Sequence, residues 1–464
     1  MGRIIWLDGL RGIASAIVVL CHATLFEPRG TLDFLDNSYW DEPPEQNRHL
    51  IQLPPVRLLY DGSSMVSLFM VISGYAISIP VLTSRKDKLA SLGFFRRLCS
   101  AATRRIFRIY TPSILVVLLT HLLYFCNFLS WEPPSQKWLS GLDPLTAPWS
   151  HAFFVIRRLL HLLDISNQRI DLNFGCGRWD IANLTTHLWT MPVEFRGSCT
   201  IYLLILTLAH WKLQSRLNAL KLIGFYWLYM GQWDLFAFVA GLFLAEGHVA
   251  LDSHEADREV EVPCHIDRTW KVIIKARNVW KRVTLTAYFH QAYTMACFIL
   301  GMFFLCVSNG VWGCSERLLL EYQFLHAIKS PNWDDMEMFS RCWKTIGAVL
   351  VVYAISRSAI LQRPLNSRIV QYLGKVSFSL YLVHVLVFLI VEQPLRNRFL
   401  LMITGTPYSG AGEANDHTRT FIAAWAGFVL VSGPILVSAA DIWNRLVDIK
   451  CIEMSRRFEK WVTK

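Results

Sequence analysis

Charge is scarce in this chain. Only 17% of its 464 residues are Asp, Glu, Lys or Arg, while 53% are hydrophobic. Soluble domains carry about 25% charged residues, so an ordinary soluble globular protein is excluded. The eleven cysteines include no C-x-x-C pair, and most are expected as reduced core residues. The one pairing considered is Cys314 with Cys342, which flank an expected outer loop. No A-x-A-like site follows the first apolar run, so that run is expected to stay as an anchor. There is no internal repeat, low-complexity tract or heptad pattern, which excludes repeat arrays and coiled coils. Neither a metal nor a permanently bound cofactor is expected.

Apolar runs and aromatic residues are abundant: 18 Trp and 28 Phe. Aromatic girdles are a membrane habit, and a span needs about 20 apolar residues. Such runs fall near 8–26, 60–82, 107–129, 188–209, 220–232, 234–248, 287–308, 343–361, 376–395 and 420–440. The expected fold is therefore all-α, a polytopic membrane bundle of about ten helices forming one domain over 1–464. The fifth and sixth runs are short, and Trp227 to Gly247 reads either as one span or as a hairpin. With both termini cytosolic, the inner segments hold 28 Lys and Arg, about twice as many as the outer ones. That is the positive-inside asymmetry. It also accounts for the net charge of +11 without nucleic acid, and the expected surroundings are a lipid bilayer. The membrane itself, endomembrane or plasma membrane, is not readable, nor is the oligomeric state.

The segments 27–58, 130–186 and 309–341 resemble outer loops, and Asn183-Leu184-Thr185 is a glycosylation sequon. The inner insertion 249–286 is charged and long enough for an amphipathic helix on the cytosolic face. A cytosolic tail is expected from 441 to 464.

Five short constellations carry polar chemistry into this apolar background. The first joins Asp8, Gly9, Arg11 and Gly12 to His22. Eleven residues of helix rise about 16 Å, so Arg11 sits near a boundary and His22 near mid-depth on the same face. An imidazole in an apolar span usually has a job. The bland alternative is a boundary Asp8–Arg11 pair and a hydrogen-bonded core histidine. Arg105 and Arg108 share a face at the start of the third run; they suit phosphate, though basic residues at an inner boundary are also routine topology signals. His187-Leu188-Trp189-Thr190-Met191-Pro192-Val193-Glu194 opens the fourth run. There Glu194 either complements a helix N-terminus or holds an imidazole or a substrate hydroxyl. Ser377, Tyr381 and His384 make a polar stripe, for packing or for catalysis. Ser73-Gly74 marks a close-approach point in the second run.

Taken in order, these segments resemble the integral-membrane acyltransferase family 3, which includes bacterial O-antigen and peptidoglycan O-acetyltransferases and many fungal members. The wording from Trp189 to Ser198 is similar to the fungal branch; the bacterial form usually has Ser at Pro192 and a second acid at Phe195. The resemblance implies transfer of an acyl group, usually acetyl, from acyl-coenzyme A to a hydroxyl. It matches Arg11 and His22 to the family's Arg–His pair. Arg105 and Arg108 match the two-arginine motif tied to the coenzyme, and Glu194 matches the acid after the tryptophan, here Trp189. Asp8, Ser73, Trp189, Tyr381 and His384 are supporting residues on this view.

The expected mechanism puts the coenzyme phosphates on Arg105, Arg108 and Arg11. His22 is the general base for a weakly acidic hydroxyl, with Glu194 as a group that orients it. Direct transfer is favoured over an acyl-enzyme. The expected partners are acyl-CoA and a hydroxylated acceptor, either a small metabolite of terpenoid or polyketide type or a carbohydrate. The rival class is a proton-coupled carrier built on the same His, Glu and Arg; a non-catalytic scaffold is a third.

Overall fold

A computed structural model of the chain describes residues 4–25, 35, 37–87, 92–126, 128–129, 148–165, 185–260, 271–308, 318–333, 335–405 and 418–462. The long elements are all helices: α1 (Ile5–Leu25), α2 (Gly62–Asp87), α3 (Leu92–Phe125), α4 (Pro148–Leu163), α5 (Thr190–Thr207), α6 (Leu213–Tyr229), α7 (Trp233–Val260), α8 (Lys271–Leu305), α9 (Met336–Arg357), α10 (Ala359–Leu365), α11 (Arg368–Thr404), α12 (Thr418–Trp443) and α13 (Ile449–Val462). No strand occurs among the described residues. The fold is an all-α polytopic bundle.

Each of the ten apolar runs has its helix. Eight of the helices among the described residues are long and apolar enough to cross a membrane. The other two of the ten are α5 and α6, with 18 and 17 residues. Helix α5 carries Glu194 and Arg196, and these charges lower its apolarity. The stretch from Trp227 to Gly247 is a hairpin. Helix α6 stops before Gly231, whose φ of 73° suits glycine and opposes most other residues.

Two close approaches set the centre of the bundle. Helix α2 packs along α7, and α1 along α11. At the first crossing Gly74 and Gly241 let the backbones touch: a Cβ on Gly74 would meet the Phe238 carbonyl, and one on Gly241 the Val71 carbonyl. At the second, a Cβ on Gly12 would stand 2.5 Å from the Gly374 nitrogen. Small residues at crossings are how membrane helices approach closely. Backbone cannot yield as a flexible side chain can, so Gly241→Ala is expected to destabilise the bundle by about 1–3 kcal/mol or more. Thermal size-exclusion of detergent-purified protein checks this; a melting point equal to that of the unsubstituted chain would contradict it.

Several charges in the bundle are neutralised in pairs or triads. Glu246 takes both Arg85, at 2.8 Å, and Arg216, at 3.1 Å. Asp234 takes Arg196 at 2.6 Å, and Asp61 takes Lys344 at 3.0 Å. Buried pairs of this kind hold helices in register, and removing one partner is costly.

Three sequence expectations change. The stretch 130–186 contains α4 in place of a plain loop. Its apolar residues Trp149, Phe153, Ile156, Leu160 and Leu163 recur at helical spacing and are exposed, which makes the helix amphipathic. The described parts of the insertion 249–286 continue α7 to Val260 and begin α8 at Lys271; residues 261–270 lie outside the described residues. The tail from 441 is helical, and α13 packs on α3. Asn183 and Cys314 lie outside the described residues, and with them the sequon and the Cys314–Cys342 pairing.

Candidate active site

Helices α1, α2, α5 and α11 line a partly open cavity. Arg11, Ser73, Thr190, Glu194, Ser377 and Tyr381 give it polar groups, and Val66, Phe69, Met70, Met191 and Phe378 line the rest. Helix geometry explains the set. Met70 and Ser73 on α2, and Met191 and Glu194 on α5, are spaced i, i+3, and Ser377 and Tyr381 on α11 are spaced i, i+4. Each pair therefore shares a face.

At one end stand the arginines. Arg105 on α3 reaches across to α5, where its Nε donates to Ser198 Oγ at 3.0 Å and its Nη2 donates to Glu194 Oε1. Ser73 Oγ donates to the same Glu194 oxygen at 3.1 Å. Arg108, one turn along α3, is exposed. It lies within electrostatic range of Arg11, Arg105, Glu194 and Asp448. Arg11 faces Asp8 at 3.8 Å. The structure thus gathers Arg11, Arg105 and Arg108, which the sequence separates by nearly a hundred residues.

Beyond Tyr381, behind the cavity lining, stand three imidazoles. The ring centres of His22 and His384 are 4.8 Å apart, and those of His187 and His384 are 4.9 Å apart. Each ring has one nitrogen on a main-chain carbonyl: His22 Nδ1 on Val18 at 2.8 Å, His187 Nε2 on Leu382 at 3.1 Å and His384 Nδ1 on Tyr381 at 2.7 Å. A carbonyl only accepts, so that nitrogen carries the proton and, in a neutral ring, the other carries a bare lone pair. The bare nitrogens are His22 Nε2, His187 Nδ1 and His384 Nε2. Burial, with the neighbouring His22 ring, pushes His187 down to about 3, so at neutral pH it is an uncharged acceptor.

Tyr381 joins the two ends. It lines the cavity, its hydroxyl lies 2.6 Å from Thr190 Oγ1, and it donates to the His187 carbonyl. Its ring centre is 5.8 Å from that of His384.

His22 stands in the last described turn of α1, eleven residues beyond Arg11. One detail of the expected site is corrected. Glu194 is engaged by Arg105 and Ser73, so its carboxylate orients a guanidinium and not the His22 ring, whose Nδ1 is held by its own helix. Trp189 turns from the cavity to a different cluster: the Arg341 guanidinium lies 4.6 Å from its ring and 4.9 Å from that of Trp233. Behind it, Val117, Leu162, Leu188, Trp189 and Pro192, with Arg158, His161 and Thr185, line a second, partly open cavity. Sequence spacing missed His187 as the third imidazole, because it sits in the turn before α5 and belongs to no apolar periodicity. It also missed Ser198, one helical turn beyond Glu194.

Known proteins are similar to this chain in sequence along most of its length. The chain is 24% identical over 480 residues to the O-acetyltransferase PaAT-1 of Phomopsis amygdali, covering 97% of this chain and 83% of that protein. It is 22% identical to the acyltransferase clz18 of Cochliobolus lunatus, over 82% of this chain and 81% of the relative. It is 25% identical to the acyltransferase R4 of a Phoma species, over the same two shares. No solved structure matches. Residues 4–440 match the acyltransferase domain Acyl_transf_3, and the chain belongs to that family of membrane O-acyltransferases.

Proposed function

We propose that this enzyme moves an acetyl group from acetyl-coenzyme A to a hydroxyl of a small secondary metabolite of terpenoid or polyketide type. The observation that carries this is two chemistries on either side of one cavity: Arg11 in its wall, with Arg105 bound to the lining residue Glu194, and, past the lining residue Tyr381, imidazoles each with a fixed bare nitrogen. Guanidinium forks suit phosphates, and the coenzyme is polyanionic at one end with its thioester on a long arm. The rise of about 16 Å between Arg11 and His22 is on the scale of that arm.

In this scheme Arg105, Arg108 and Arg11 hold the phosphates, and the arm passes the Ser73–Tyr381 wall. His22 Nε2 takes the acceptor's proton as the oxygen attacks the thioester carbonyl. The new C–O bond forms, the C–S bond breaks, and the imidazolium returns its proton to the departing thiolate. No metal and no resident cofactor enters the scheme. Glu194 keeps Arg105 in place.

The lining supports the acceptor class. Beside its polar groups the first cavity has an apolar wall of Val66, Phe69, Met70, Met191 and Phe378, and the second is walled mainly by apolar and aromatic side chains, as small-molecule sites are. The relatives named above are fungal acyltransferases. The excess of Lys and Arg in the segments on the arginine side supports placing that end, with the termini, on the cytosolic face.

Deletion of the gene followed by metabolite profiling tests the assignment. One acetylated metabolite should disappear and its free alcohol accumulate, and the purified protein should release coenzyme A thiol when given acetyl-CoA and that alcohol. Loss of acetyl esters from a glycan would move the acceptor class. Solute flux in vesicles, with no thiol release, would reject the enzyme scheme in favour of a carrier.

A further inference from the structure

The last apolar helix does not continue smoothly into the tail. Between α12 and α13 the chain makes a single π-helical turn, Asn444–Asp448. Such turns insert an extra residue and recur at functional sites. Here the turn has Leu446 69% exposed and Asp448 only 8% exposed. Asp448 Oδ2 accepts the Ser379 hydroxyl of α11, while its Oδ1 is buried with no hydrogen-bond partner among the described residues. Helix α13 then lies along α3, with Phe458 on Phe107 at 5.1 Å and Glu459 3.4 Å from Arg104. The π turn itself packs against α3, the helix that carries Arg108.

A buried carboxylate with an unbonded oxygen is costly unless a cation stands near it. Three guanidiniums gathered at one site also repel one another and need opposing charge to stay in register. Two of them are paired with an acid: Arg11 has Asp8 at 3.8 Å, and Arg105 has Glu194. Arg108 has no ion pair of that length among the described residues; of the two acids near it, Glu194 is taken by Arg105 and Ser73, which leaves Asp448.

We infer that Asp448 is a positioning residue of the donor site, holding Arg108 alongside Arg105 and Arg11 to meet the phosphates of acyl-coenzyme A. The inference rests on the acyl-CoA assignment made above. It adds a residue that lies beyond position 440, where the family match ends. It also makes α13 a working wall of the donor site and not an appendage.

The sign of one substitution separates positioning from mere proximity. Asp448→Asn keeps the shape and a hydrogen-bond partner for Ser379 but removes the charge. A bystander acid would repel phosphate, so its loss would tighten donor binding. A positioning acid, once lost, lets Arg108 drift and weakens binding. Titration calorimetry of acetyl-CoA into the full-length protein in detergent is expected to give an affinity on the order of tenfold weaker for Asp448→Asn, and no further loss when it is added to Arg108→Gln. Unchanged or tighter binding would overturn the inference, as would an equal loss in both backgrounds. Should Asp448→Asn fail to fold, Ser379→Ala, which frees the carboxylate from α11, is expected to weaken acetyl-CoA binding in the same direction; unchanged binding would again overturn it. A wild-type protein with no affinity for acetyl-CoA would strike the donor assignment itself, a separate outcome.

Discussion

Replacing His22 by Asn is expected to lower kcat by ~10²–10⁴-fold, the usual contribution of a positioned general base, or about 3–5 kcal/mol of barrier. Asparagine is chosen because its amide nitrogen stands where Nδ1 does and can still donate to the Val18 carbonyl. The helix keeps its hydrogen bond, and only the bare Nε2 is lost. Donor KM should therefore change little, since the arginines lie at the far end of α1. The measurement is steady-state transfer from acetyl-CoA with thiol release, beside a melting curve that shows the fold intact. His384→Asn is the necessary companion. Its Nε2 is also bare and buried, 4.8 Å away ring to ring. If His22→Asn turns over normally while His384→Asn does not, the base is the neighbour and the scheme must be rewritten around α11.

Much of this was legible in the sequence, for a physical reason. Hydrocarbon satisfies no backbone polar group, so helices declare themselves as apolar runs of fixed length. All ten runs became helices, and even the hairpin at Gly231 was foreshadowed by two runs that were too short. Within one helix, spacing also sufficed: the Arg11 and His22 register, the Arg105 and Arg108 face, and the Tyr381 and His384 stripe all follow from 3.6 residues per turn.

What spacing does not carry is contact between helices. Glu194 is as well placed in sequence to steady an imidazole as a guanidinium; only the approach of α3 to α5 shows that Arg105 takes it. His187 escaped because a turn before a helix has no period. Asp448 escaped because a charged stretch after the last apolar run looks like a solvated tail, and a π turn leaves no pattern in composition. Helix α4 escaped because its apolar face was diluted by the polar residues around it. The misses share one cause: they depend on tertiary neighbours and not on local order.

Arg105 is the second position where a large effect is expected, and it also decides what Glu194 does. Arg105→Gln removes the cation from a carboxylate that is only partly accessible, with side-chain exposures of 10% for Arg105 and 18% for Glu194. Breaking a buried pair from one side costs about 3–5 kcal/mol, and the residual exposure here puts the expectation at the lower end. The same change removes one of three phosphate-facing guanidiniums, so donor KM should rise on the order of 10–100-fold, the range for hydrogen bonds to charged groups. Arg105→Lys should rescue little. A lysine carries the charge but lacks the fork that reaches Ser198 and Glu194 together. Glu194→Gln then separates two roles. If the carboxylate only steadies Arg105, the isosteric amide raises donor KM and leaves kcat nearly intact, because Ser73 and Arg105 can still bond to its oxygen. If it takes part in the proton transfer, kcat falls with little change in KM. The short links from Arg105 and Ser73 to one Glu194 oxygen favour the first outcome, and a kcat loss comparable to that of His22→Asn would show that the carboxylate belongs to the chemistry after all.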